Sequence, residues 1–165
     1  MQPPFFSIII PTHGRDAALD RCLKAVSRLD YPSECCEVIV VYDGSIPIQH
    51  PKIGQFSVQL LTQPKSGPAA ARNKGAIQAG GDYLAFTDDD CIPTADWLSR
   101  LSAAFVQYPE RMVGGRVVNA LPENTMPPPA SFWWIFSMND TTPIRSKPNS
   151  SPPTIWLSGA IYSWN

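Results

Sequence analysis

A short apolar run that ends in three consecutive acids constrains this chain more than anything else in it. Residues 82–87 (DYLAFT) are mostly apolar and aromatic and follow Gly80 and Gly81, the pattern of a short strand buried in a sheet. Asp88, Asp89 and Asp90 stand at its carboxyl end. In open α/β sheets ligands bind in the crevice outside the carboxyl ends of the strands, so acids at that place face a site rather than the core.

If the backbone stays extended through the acids, Asp88 and Asp90 point the same way with Cα atoms roughly 7 Å apart, and Asp89 points the other way. Like charges that close repel by roughly 1 kcal/mol in water and by several in a partly dehydrated cleft, so something cationic should compensate them. Two convergent carboxylates favour Mg²⁺ or Mn²⁺, hard ions that share themselves between one or two acids, water and a substrate phosphate. The plainer alternative is a solvated turn with one acid capping the next helix. Thr94 is the better cap for the helix that contains Trp97, and a solvated turn has no need of three adjacent acids.

Upstream, Lys65, Ser66, Gly67 and Pro68 form a turn, and residues 69–79 read as a short helix. Arg72 and Lys74 sit in its first turns, where positive charge opposes the helix dipole; a nearby anion such as a diphosphate accounts for them better, with a solvated face as the alternative. Ala69, Ala70, Ala71, Gly75 and Ala76 are small enough to bring this helix close to a sheet or a ligand.

Taken together, the ARNKG run at 71–75, GDYLAF at 81–86, the three acids and Trp97-Leu98 resemble the core of family 2 glycosyltransferases. The resemblance implies the GT-A fold, a Rossmann-like α/β domain with a mostly parallel sheet flanked by helices. It further implies transfer of a sugar from a nucleotide-diphosphate donor to a carbohydrate or lipid-linked acceptor. Asp88 and Asp90 would then hold a divalent ion on the diphosphate. Pro11, Thr12 and Arg15, in the loop after the first strand, would lie against the nucleotide, with Arg72 on the diphosphate and Asp89 or Asp43 at the ribose or base. Where the family usually writes Asp-Asp-Gly-Ser, this chain has Tyr42, Asp43, Gly44 and Ser45, so the first acid is replaced and the second retained. An ordinary turn residue before glycine is the alternative reading of Asp43.

The remaining elements follow from periodicity. Residues 5–10 form a continuous β-rich run stopped by Pro11, as in a central parallel strand. Leu19, Cys22, Leu23, Val26 and Leu29 recur at helical spacing and define a core-facing stripe, ended by Tyr31-Pro32. Residues 37–42 make a second strand and 56–61 a third, with a loop at 46–54 that holds Pro47, His50 and Pro51. A helix over 95–107 buries Trp97, Leu98, Leu101, Ala104 and Phe105, and residues 112–119 read as another strand. His13, in the loop with Thr12 and Arg15, is a further candidate against the nucleotide that the resemblance implies, with a solvent-exposed or backbone-bonded loop residue as the alternative, and His50 has no partner that the sequence identifies.

Beyond Leu121 the pattern changes, because eight of the 18 prolines fall within 121–153, which excludes one long helix or a central strand. The domain boundary is therefore set at 1–120 for the nucleotide-sugar-binding part and 121–165 for a proline-rich start of the acceptor side. Three readings of the apolar run at 131–136 compete: a short helix packed on the domain, an acceptor-side wall, and an interfacial anchor on a membrane. The segment 155–160 resembles the start of the family's acceptor side. The family's general base, an acid further on, is not found after Asp140. A donor-binding fragment is expected on that ground, and the alternative is a degenerate module that binds nucleotide sugar without transferring it.

At 165 residues the chain is about one domain long. Its 13 basic and 14 acidic residues offer no net charge for nucleic acid. Cys22, Cys35, Cys36 and Cys91 lack the spacing of a zinc site and read as reduced thiols, which suggests the cytoplasm. No run of about 20 apolar residues is present, so any membrane association is expected to be peripheral, at the inner face.

Overall fold

A computed structural model describes residues 2–44, 56–108, 112–115 and 135–137. The expected loop at 46–54 with His50, the 116–119 step, Trp133, Trp134 and the 155–160 segment lie outside those residues, and so does most of 121–165.

Four strands run parallel: β1 (Phe6–Thr12), β2 (Cys36–Asp43), β3 (Ser57–Gln63) and β4 (Tyr83–Phe86). The fifth, β5 (Ile135–Ser137), pairs antiparallel with β4, giving the order β3-β2-β1-β4-β5. Every residue of β1 is buried, Ser7 and Thr12 included, as its continuous β-rich run predicts for a strand with helices on both faces.

Alternation along the strands divides the core. Ile8, Ile10, Val38, Val40 and Tyr42 face α1 (Asp16–Val26) and α3 (Trp97–Gln107). Ile9, Ile39, Val41, Leu84 and Phe86 face α2 (Pro68–Gln78). Of the predicted α1 stripe, Leu19, Cys22, Leu23 and Val26 are buried on the helix and Leu29 is buried beyond its end, while α3 buries Leu98, Leu101 and Phe105 and leaves Trp97 and Ala104 half-buried. A fully buried Ile, Leu or Phe contributes about 1.5–3 kcal/mol, so this two-sided packing is the main source of cohesion.

Gly75 lets α2 reach the sheet, since a Cβ there would lie 2.5 Å from Ile9 Cγ2. Gly81 serves the start of β4 in the same way: a Cβ would sit 2.7 Å from the Ser7 nitrogen. Its N–H donates to Ser7 Oγ at 2.9 Å, Ser7 Oγ donates to Glu37 Oε1 at 2.6 Å, and Gly80 N–H donates to the same Glu37 oxygen at 2.7 Å. These bonds tie the beginning of β4 to β1 and β2, and so fix where its carboxyl end emerges.

The structure corrects several expectations. β1 does not stop at Pro11 but runs on through it to Thr12, paired with β2. Residues 112–115 are not a strand. Ile135–Ser137, at the end of the apolar run, is a strand rather than a helix, because the β4 edge offers it backbone partners that periodicity cannot reveal. Thr94 does not cap α3; its hydroxyl donates to Asp96 Oδ1 at 2.7 Å, and Asp96 occupies the cap position without a side-chain capping bond. The acids do not continue the strand either: β4 stops at Phe86, and Cys91 N–H closes a turn on the Asp88 carbonyl at 3.1 Å.

Candidate functional site

The acids lie at the carboxyl end of β4, beside the end of β1, whose Thr12 meets Asp89. The turn that replaces the extended chain separates their environments. Asp89 is fully buried, whereas the Asp88 and Asp90 side chains keep 31% and 27% exposure, enough for a ligand to reach them. The turn is anchored to α1 as well, where the buried Cys22 thiol points at the Asp88 carbonyl 3.5 Å away. Burial and the three neighbouring carboxylates push that thiol up to about 12, so it stays protonated and suits a donor role.

The cationic compensation expected for three clustered acids comes from two arginines. Arg15 bridges a pair of them: Nη2 lies 2.9 Å from Asp89 Oδ1, and Nη1 donates to Asp90 Oδ2 at 3.0 Å. Arg72, buried on α2, donates through Nη2 to Asp88 Oδ1. Its other terminal nitrogen, Nη1, is buried and has no acceptor among the described residues. Thr12 Oγ1 donates to Asp89 Oδ2 at 2.7 Å. Burial raises the Asp89 carboxyl above its ordinary value and the flanking Asp90 and Asp88 charges add to this, against the opposing pull of Thr12 and Arg15.

Asp43, the retained acid, occupies a second corner. Its Oδ1 accepts from Gln63 Nε2 at 2.9 Å and from Ser66 N–H at 2.7 Å, and its Oδ2 accepts from Gly67 N–H at 2.8 Å. Burial alone would raise this carboxyl, but those three donors and the nearby His13 hold it below the usual range. The carboxylate thereby fixes the turn that starts α2, where Gly67 takes a φ of 90° that favours glycine. His13 Nδ1 meets the Asp43 carbonyl, so this histidine is backbone-bonded. Tyr42, where the family's other acid would stand, points to the opposite face and packs in the core.

Of the residues singled out by sequence, Thr12, Arg15, Asp89 and Asp90 form one network, and Arg72 and Asp88 form a separate ion pair beside it. Asp43 sits apart at the start of α2, and Pro11 is a buried strand residue paired with Val41. Asp89, expected at a ribose or base, has Oδ2 hydrogen-bonded to Thr12, while Oδ1 lies 2.9 Å from Arg15 Nη2 as an ion pair without a hydrogen-bond partner among the described residues. Gln63, Ser66 and the Gly67 N–H were not foreseen. Their only sequence signal is the glycine at a turn, since which acid a backbone amide will meet is a long-range matter.

The donor chemistry of Asp88 and Asp90 suits a hard divalent ion. Asp88 and Asp90 are partly exposed oxygen donors, each with one oxygen that no arginine occupies. Among the described residues no three His, Cys, Asp or Glu side chains are grouped to hold a metal. Two carboxylates suffice for Mg²⁺ or Mn²⁺ when substrate phosphate and water complete the shell.

An α/β sheet with helices on both faces, and with acids at the carboxyl end of an interior strand, defines a GT-A domain. A family model described as Glycosyl transferase family 2 matches residues 7–162, and the chain belongs to that family. It is 37% identical over 120 residues to Glycosyltransferase AglE of Haloferax volcanii, covering 69% of this chain and 40% of that protein. Against Validoxylamine A glucosyltransferase of Streptomyces hygroscopicus subsp. limoneus it is 31% identical, covering 75% of this chain and 29% of the relative. The chain thus spans well under half the length of these curated relatives. In fold it is similar to S. aureus TarS 1-349 solved in complex with UDP-GlcNAc, with a TM-score of 0.66, 22% identity, and coverage of 74% of this chain and 37% of that one. It is also similar to the mannosyltransferase PcManGT from Pyrobaculum calidifontis, solved with GDP-Man and Mn2+, with a TM-score of 0.57, 24% identity, and coverage of 72% and 37%.

Proposed function

We propose that residues 1–120 bind the donor of a metal-assisted, inverting glycosyltransferase that moves a sugar from a nucleotide diphosphate to a carbohydrate or lipid-linked acceptor. Residues 121–165 begin its acceptor side. The observation that carries this reading is the acid turn at the carboxyl end of β4, with Asp88 and Asp90 accessible and arginines beside both. Family membership and the donor complexes of the structural neighbours support the same chemistry.

Asp88 and Asp90 hold Mg²⁺ or Mn²⁺, which when bound stabilises negative charge developing on the departing diphosphate. Arg72 has a buried donor left over after pairing with Asp88, and a phosphate oxygen is the acceptor it lacks. Asp43 presents the start of α2 to the base or ribose, and Thr12 and Arg15 shape the wall opposite. No general base is assigned to the residues of this chain. Among the described residues no helix is long and apolar enough to cross a membrane. The four free cysteines support a cytoplasmic setting, with a lipid-linked acceptor reached peripherally at the inner membrane face.

Calorimetric titration of the chain with UDP, GDP and UDP-sugars, with and without Mn²⁺, tests this reading. Metal-dependent nucleotide binding that Asp90→Ala abolishes is the expected result. No binding of any nucleotide overturns it.

A further inference from the structure

Arg15 and Asp89 have a relationship that donor binding does not require. The Asp89 side chain has no exposure, while Arg15 is about half exposed at 49% and reaches out to Asp90. A buried carboxylate needs compensation where it sits, and Asp89 has only the Thr12 hydroxyl, hydrogen-bonded to Oδ2, and this guanidinium, whose charge lies 2.9 Å from Oδ1 without a hydrogen bond. The Arg15 backbone is itself fixed, because its carbonyl accepts the first α1 amides, Ala18 and Leu19, each at 3.0 Å. The fork of the guanidinium therefore has one prong held by a buried charge and one resting on an accessible charge, and only the second can be exchanged for another cation.

We infer that Arg15 is an internal counter-ion for the metal site. Anchored on Asp89, it occupies Asp90 in the metal-free protein and yields that carboxylate when a divalent ion arrives. Asp89 is then a positioning residue. Its charge holds Arg15 back, and without it the guanidinium would compete with the metal for Asp90 alone. The inference rests on the proposed role of Asp90 as a metal ligand.

Opposite effects of two substitutions test it. Arg15→Lys replaces the planar fork by one compact ammonium that, once seated against the buried Asp89, no longer spans to Asp90, so Asp90 is released without leaving the buried acid unpaired. Asp89→Asn keeps an acceptor for Thr12 and removes the charge that restrains Arg15. Mn²⁺ affinity in the presence of UDP, measured by calorimetry, should tighten about three- to five-fold in R15K, the scale of a partly exposed ion pair, and weaken by a similar factor in D89N. Thermal melting in metal-free buffer confirms that each variant folds, and R15Q serves as a second release variant if R15K does not. A purely structural role for the bridge would weaken binding in both variants. R15K binding that is unchanged or weaker overturns the inference while leaving the metal site standing. Failure of the unsubstituted chain to bind Mn²⁺ with UDP overturns the metal-site reading, and the inference falls with it.

Discussion

Two buried carboxylates flank the end of β1, and they titrate in opposite directions. Asp43, at the end of β2, lies 5% exposed among neutral N–H donors and is held below its ordinary value. Asp89, just past the end of β4, is fully enclosed, has one hydroxyl donor and one arginine, and is raised. Burial acts the same way on both. Directed dipoles from the Gln63 side chain and two backbone amides outweigh it at Asp43, whereas at Asp89 the charges of Asp88 and Asp90 cancel much of what Arg15 provides. The first carboxylate organises backbone, and the second organises other charges.

Removing the Asp43 carboxylate should give the largest effect. Asp43→Ala strands Ser66, Gly67 and Gln63 donors, and urea denaturation should show a loss of about 3 kcal/mol. Asp43→Asn is expected to cost about 2 kcal/mol, because an amide places a donor against one of the three existing donors. The same change at Asp89 should cost less than about 1 kcal/mol, since neutralising a poorly compensated buried acid relieves desolvation and repulsion while Thr12 keeps an acceptor. Equal losses for the two asparagine variants would erase the contrast. Gln63→Ala removes one of three bonds to Asp43 and should cost about 1 kcal/mol by the same measurement.

The pH dependence separates the two carboxylates without a large change in stability. Because the folded Asp43 value lies below 3.8, its contribution is fully present above 3.8 and is lost as pH falls through the lower folded value. Asp89 behaves inversely: its raised folded value means that ionisation opposes folding above that value, and the penalty disappears once pH is below 3.8. In metal-free buffer the stability of D89N relative to the parent chain should therefore be most favourable near neutrality and decline towards pH 3. The deficit of D43N should shrink only below 3.8.

Much of the fold was legible because it depends on near-neighbour pattern. The continuous β-rich run of β1, the spacing of Leu19, Cys22, Leu23 and Val26, and the small residues of α2 each carry a period or a size that one segment states by itself. Where a partner had to be supplied from elsewhere, pattern failed. β5 exists because the β4 edge is open to it, and Thr94 turns to Asp96 instead of capping α3.

The site divides along the same line. Three adjacent acids after a buried strand were enough to state that negative charge gathers at the carboxyl end of the sheet and needs a cation, but not that Arg15 and Arg72, expected at the nucleotide and the diphosphate, would pair with them. Which acid faces inward was decided by the turn at Cys91, and which arginine meets which acid by the close seating of α2 through Gly75 and the anchoring of the Arg15 carbonyl at the start of α1. Sequence determines the charges and the local periods, because these belong to single segments. Their pairing is a property of distances between segments, and only the packed sheet and helices set those.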